Sequence, residues 1–299
     1  MPAVNILVDF SDNSDGEIIT YIKAVFDFLK IPYSLRYVLG ITGLIMLARS
    51  ILLFTHNTYI GIINSNLRLE MRERFIKKLN SSSWSTFKSQ PQAKLMSVLT
   101  LETNRTGTAY TNLIQFLSNL VVSLVYLIFL IFVSYKITIF ALLVAIIITM
   151  GFSVLTKQSN RLGKSITALN IKYLDILTNS FNLSKHIRVH GKDMVMSTNI
   201  FSHQKLIRQN FKKNAINDSI LYSTYEYAFI GFLLLGLLVS TRFLDVSPSS
   251  LTLMSLIFFR LFQKTKAAQQ CLQELNKNIY SHFLFNKTLD DIKNDNKAW

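Results

Sequence analysis

The chain has 299 residues, of which 50% are hydrophobic and only 16% charged, with a mean hydropathy of +0.31. Soluble domains carry about a quarter charged residues, so this balance excludes an ordinary water-soluble globule. Lys and Arg number 32 against 17 Asp and Glu, an excess that suits nucleic acid, a membrane surface or the positive-inside rule, while the single cysteine, Cys271, excludes an internal disulfide.

Crossing about 30 Å of hydrocarbon takes about 20 mostly apolar helical residues, each rising about 1.5 Å. The first candidate is Tyr37–Ile63, apolar apart from Arg49 and His56; the stretch before it is acidic and does not read as a signal peptide. Beyond it, Leu67, Met71, Phe75 and Leu79 recur four residues apart, the stripe of a helix with one buried side. Glu73 and Lys77 form an i,i+4 pair of the favourable polarity. The next stretch, "SSSWSTFKSQPQ", predicts a short helix between turns, with Trp84 and Phe87 exposed and Pro91 after it. Aromatics at such a tip suit anchors for a partner, and equally suit packing against a neighbouring arm.

Leu113–Val133 and Ile137–Leu155 carry no charge and are parted only by "SYK", which predicts a tight helical hairpin across the membrane. "RLGKSITALN" follows, with the Gly-Lys-Ser that ends a nucleotide phosphate loop. That loop needs a further glycine where Gln158 stands, and a buried strand where this chain has a membrane-length apolar run, so a nucleotide site here is rejected. His186 and His190 share a helical face, but Arg188 lies between them and His-Glu-x-x-His is absent, which argues against a metal. Ser219–Thr241, containing Glu226, and the run from Pro248 to Lys266 are the remaining spans. On the last arm Ala268, Leu272, Leu275 and Ile279 follow a spacing that suits helix packing.

Placing the "SYK" turn outside leaves 26 of the 32 Lys and Arg on the inner segments 65–112, 157–218 and 260–299. The asymmetry sets the orientation. It also removes nucleic acid as a partner, because the basic residues are spread over three arms without aromatic stacking platforms. The inner connections predict membrane helices that continue inward without a break; about 25 further residues would reach roughly 35 Å.

This arrangement resembles the transmembrane domain of ABC exporters over nearly the whole chain. "LRLEMRERFIKKLNSSSWSTF" is similar to the family's second helix leading into its first coupling helix. "QAKLMSVLTLETNRTG" resembles a stretch that usually reads Thr-Gly-Glu-Leu and then an Asp; here Ala93 replaces the glycine and Glu102 stands near the aspartate. "YLDILTNSFNLSKHIRVHGKDM" resembles the second coupling helix followed by Lys-x-Ile-x-x-x-Gly, with Lys185, Ile187 and Gly191 in place. That form is most similar to exporters that flip lipid-linked saccharides.

The resemblance implies an all-α membrane protein with five of the family's six spans. Residues 1–35 would be the end of a truncated first helix and an outer loop. Residues 36–289 would be the transmembrane domain, with spans at about 37–63, 113–133, 137–155, 219–241 and 248–266. Residues 290–299 would begin a linker to a missing nucleotide-binding domain. No catalytic, cofactor or metal site is expected in this chain; ATP and Mg would be held by that domain or by a separate ATPase subunit. Ser83–Ser89 and Tyr173–Leu183 would be the coupling tips, with Trp84, Phe87, Pro91, Asn179, Phe181 and Lys185 meeting the ATPase. A second transmembrane domain, as a homodimer, and membrane lipid are the other expected partners, in the bacterial inner membrane.

Polar groups within spans cost a few kcal/mol or more, so they face a cavity or a partner. Thr42, Arg49 and His56 recur along one helix face, and Asn112, Gln115, Asn119, Ser123 and Tyr126 along another. Glu226 lies one turn after Tyr222. The resulting candidates for a substrate cavity are Arg49, His56, Asn119, Ser123 and Glu226, with Arg49 attracting an anionic headgroup. The alternative for each is interhelical hydrogen bonding. The expected function is ATP-driven export of a lipid-linked saccharide or other amphipathic substrate by alternating access. A peptide or drug exporter, and a transport-inactive membrane scaffold, are the alternatives.

Overall fold

The computed structural model describes residues 35–133, 135–243 and 248–294. The truncated helix and outer loop expected over 1–35 lie outside the described residues except for Leu35, as do residues 295–299. The described elements are α1 (Leu35–Asn80), α2 (Trp84–Ser89), α3 (Gln92–Ser97), α4 (Thr103–Val133), α5 (Tyr135–Asn182), α6 (Ser184–Val189), α7 (Asp193–Phe243) and α8 (Pro248–Asn294). A π-helical turn, Val98–Glu102, joins α3 to α4. Among the described residues there is no strand, so the fold is all-α as the sequence predicts.

Four helices are far longer than a bilayer requires. α1, α5, α7 and α8 have 46, 48, 51 and 47 residues, roughly 70 Å or more each at 1.5 Å per residue. They run on because no proline interrupts them. Pro91 stands just before α3 and Pro248 opens α8, where a missing N–H costs nothing. α8 continues to Asn294 with Ile292 fully buried, so helix occupies residues 290–294, the first half of the segment expected to begin a linker.

The chain forms two units, Met1–Ile62 and Ile63–Trp299. The described part of the first is the N-terminal portion of α1, most of whose apolar side chains stand exposed, Leu44, Leu52 and Phe54 by 69%, 70% and 72%, while Ile60 is buried. Leu39–Asn80 contains an 18-residue window of mean hydropathy 1.6 with none of it buried, and Gln92–Ile131 one of 2.3. Both stretches are long and apolar enough to cross a membrane.

In the second unit α8 is the central element, packed along α4 and against α5, and α5 carries α7. The apolar core draws Met71 and Phe75 from α1, Leu95 from α3, Val98 from the π turn, and Leu284, Phe285, Leu289 and Ile292 from α8. The Phe75 and Phe285 rings lie 5.8 Å apart. Leu67 and Leu79 pack against this core, completing the predicted four-residue stripe. Burying each large apolar side chain here contributes about 1.5–3 kcal/mol. The stripe predicted on the last arm holds only in part. Ala268 is buried, but Ile279 is 44% exposed, and the core residues of α8 lie further on, at 284–292.

Gly163, the glycine of the rejected phosphate loop, is buried inside α5 where it crosses α8. A Cβ at this position would lie 2.0 Å from the Lys277 carbonyl oxygen. The glycine lets two helix backbones touch, and its amide belongs to a helix rather than to a loop that cradles phosphate.

Candidate functional site

The first predicted tip follows the end of α1, where Lys77 and Lys78 complement the helix dipole. There the Ser81 and Ser82 amides donate to the Lys77 and Leu79 carbonyls at 3.1 and 3.2 Å. Trp84 is 73% exposed, and its ring stacks on Phe87 at 5.6 Å and 24°. Phe87 packs back against the apolar core. The expected pair of exposed aromatics therefore divides into an anchor, Phe87, and an outward-facing ring, Trp84. Pro91 is exposed, and its carbonyl accepts the Lys94 and Leu95 amides at 2.9 and 3.2 Å to start α3. Lys94 then pairs with Asp291 of α8 at 3.3 Å.

The second tip is the end of α5 with α6. Phe181 is 68% exposed; Asn179, Leu183 and Lys185 are also exposed, and α6 buries no residue. Gly191 has φ +61°. Its amide donates to the Arg188 carbonyl and that of Lys192 to the Ile187 carbonyl, each at 3.0 Å. This is the left-handed helix stop that glycine alone adopts without strain, which gives Gly191 a physical reason. His190 Nδ1 lies 2.8 Å from the His186 main-chain oxygen. Ile171 of α5 packs on the core that also holds Phe87. Both tips thus project from the same end, with Phe181 about 15 Å beyond Ile171 along α5.

The polar face of α4 turns toward α8. Gln115 Oε1 accepts the Cys271 thiol at 3.8 Å, and Asn119 Oδ1 accepts Lys264 Nζ at 3.4 Å. Ser123 is buried. Asn112 bonds back to the Thr108 carbonyl at 2.9 Å. Glu226 of α7 pairs with Lys266 of α8 at 3.4 Å, and Lys266 Nζ sits 3.3 Å from the Tyr222 ring centroid. Asn119 and Glu226 therefore each meet a lysine of α8. Arg49 and His56 belong to the first unit and are exposed there.

Sequence reasoning missed the most connected polar group. Arg105 of α4 donates from Nε to Asn278 Oδ1 at 3.1 Å and from Nη2 to the Lys277 carbonyl at 2.8 Å and the Gly163 carbonyl at 3.4 Å. Its Nη1 meets the Thr167 hydroxyl, and Glu102 pairs with it at 3.6 Å. Thr167 in turn donates to Glu102 Oε2 at 3.2 Å. Burial pushes the Arg105 pKa down, while Glu102 and then Glu274 act to raise it. The available signal was a Glu and an Arg three residues apart, which shows one turn of helix and nothing of the distant acceptors.

Apolar spans that lengthen into unbroken arms and end in exposed tips define an all-helical integral membrane domain. The family profile of the ABC transporter transmembrane region matches residues 5–265, and the chain belongs to that family. Among solved structures it is similar to a bacterial Atm1-family ABC exporter with ATP bound, at a TM-score of 0.72 and 11% identity. The match covers 96% of this chain and 50% of that one, so the chain spans about half the length of that exporter. No curated protein matches. In ABC exporters the transmembrane region is the transport part and ATP hydrolysis belongs to a separate domain. Such regions pair with nucleotide-binding domains and form dimers.

Proposed function

We propose that this chain is the membrane half of an ATP-driven exporter that moves a lipid-linked saccharide, or a similar amphipathic anion, across the bacterial inner membrane by alternating access. The observation that carries the reading is mechanical. Single helices run from apolar spans to tips where Trp84 and Phe181 are left facing outward. A helix is stiff along its axis, so closure of a nucleotide-binding domain loaded with ATP and Mg would move the spans. Trp84 and Pro91 on one tip, with Phe87 holding Trp84 from beneath, and Asn179, Phe181 and Lys185 on the other, would seat against that domain. A second copy would complete a cavity to which the faces bearing Asn119, Ser123 and Glu226 contribute. The Lys185–Ile187–Gly191 pattern and the cationic Arg49 support a phosphate-linked saccharide over a neutral drug.

The test is the double substitution Trp84→Ala and Phe181→Ala in the full transporter, reconstituted in proteoliposomes with its ATPase. Both side chains are exposed, so yield and thermal stability stay near wild type, while ATP-dependent export falls at least tenfold because anchor aromatics dominate such contacts. Export at the wild-type rate would remove the coupling assignment. A chain that purifies stably with no ATPase would point to the scaffold reading instead.

A further inference from the structure

We propose that Arg105 is the pin of a conformational lock, closing the inner parts of α4, α5 and α8 in the arrangement seen here and opening in the other half of the transport cycle. The inference deepens the exporter reading and rests on it for the existence of that second state.

The acceptors of Arg105 come from two other helices, α5 and α8, and lie 58 to 173 residues away in sequence, apart from Glu102 on its own turn. Two of them, the Gly163 and Lys277 carbonyls, belong to helix interiors. A guanidinium reaches both only while α5 and α8 touch, and Gly163 is what allows that touch. Separating the helices by a few ångströms removes most of these bonds at once, so the cluster distinguishes one arrangement sharply from its neighbours. A buried ion pair is a poor source of net stability but a good device for specifying a geometry. Glu102 is fully buried, yet among the described residues its Oε1 has no hydrogen-bond partner. A carboxylate with a fixed structural task normally fills both oxygens; this one keeps capacity for another arrangement.

The chain is also built to give way beside the lock. The π turn Val98–Glu102 carries a wider ladder than an α-helix, a feature found often at functional sites. Side chains hold its carbonyls: Thr103 Oγ1 donates to Val98 at 2.8 Å and Arg72 Nε to Leu99 at 3.3 Å. Arg72 Nη2 also reaches Asn104 Oδ1 at 3.1 Å, so one side chain of α1 ties the turn to the start of α4. Moving the extra residue out of this turn would rotate α4 against α3 by about 100°, one residue of helical twist. Motion of the first tip thus has a route to Glu102 and Arg105 that bends no helix.

The experiment measures distances by pulsed electron spin resonance in the full transporter in nanodiscs, on a Cys271→Ser background. Spin labels at exposed Tyr110 and Ala168 report α4 against α5, and labels at Ala168 and Lys287 report α5 against α8. Both pairs should show a short and a long population whose ratio changes between the nucleotide-free and vanadate-trapped states. Arg105→Ala should raise the long population at least fivefold in the state where the short one dominates. Asn278→Ala, which removes one acceptor and keeps the charge, should shift it the same way by less. Distances that ignore nucleotide, or a ratio that both substitutions leave unchanged, would overturn the lock. A wild-type complex that hydrolyses no ATP would count against the exporter reading; the lock would then be judged on whether Arg105→Ala lengthens the resting distances.

Discussion

Glu102→Ala lowers stability by about 3–5 kcal/mol, the cost of stranding one member of a buried ion pair. Its carboxylate is fully buried, and the Arg105 side chain is only 16% exposed. Removing the carboxylate leaves the guanidinium desolvated, with Glu274 as its remaining nearby anion. It also takes away the acceptor that Thr167 uses at 3.2 Å. Glu102→Gln keeps an acceptor for Thr167 and loses only the charge, so it falls between the alanine variant and wild type. Thermal unfolding of the purified protein in detergent orders the three. An alanine variant that melts with wild type would mean that the pair is not formed.

Phe75→Ala costs about 3–5 kcal/mol, whereas Trp84→Ala, nine residues on, stays within about 0.5 kcal/mol. Phe75 is 1% exposed and meets Phe285 at the centre of the apolar core, so its removal leaves a cavity that α1, α3 and α8 cannot all close. Trp84 is 73% exposed and touches the fold through Phe87. The same melting experiment checks both. Equal losses at the two positions would contradict the division between a core that supports the first tip and a ring that faces away from it.

Regular patterns within one helix were legible in the sequence, and contacts between distant helices were not. The stripe Leu67–Met71–Phe75–Leu79 reads directly because a helix facing one core must repeat its apolar residues every three or four positions. The charge-free runs around "SYK" and the absence of proline from the interiors of the long helices were equally plain. On α8 the spacing Ala268–Leu272–Leu275–Ile279 drew the eye to helix packing, while the core residues Leu284, Phe285, Leu289 and Ile292 went unread because Asn286, Lys287, Asp290 and Asp291 dilute their apolar signal. The polar face of α4 was visible, but nothing local said that Gln115 and Asn119 meet Cys271 and Lys264. Lys264 and Lys266 read as charges at the edge of a span; in the fold their long stems bring the ammonium groups to Asn119 and Glu226. The π turn left no trace, since its residues have ordinary helix propensities and its extra hydrogen-bond demand is met by Arg72 from another helix. Gly163 was conspicuous for a chemistry it does not perform; its reason, the close approach of Lys277, lies more than a hundred residues away.

The central claim is that membrane helices persist as stiff arms and bring Trp84 and Phe181 to one side of the bilayer, opposite the hairpin that contains Lys136. Single cysteines at these three positions, in a Cys271→Ser protein in oriented membrane vesicles, can be labelled with a membrane-impermeant thiol reagent applied from each side in turn. The account predicts that positions 84 and 181 react from the same face and position 136 only from the other. Labelling of 84 and 181 from opposite faces would contradict it.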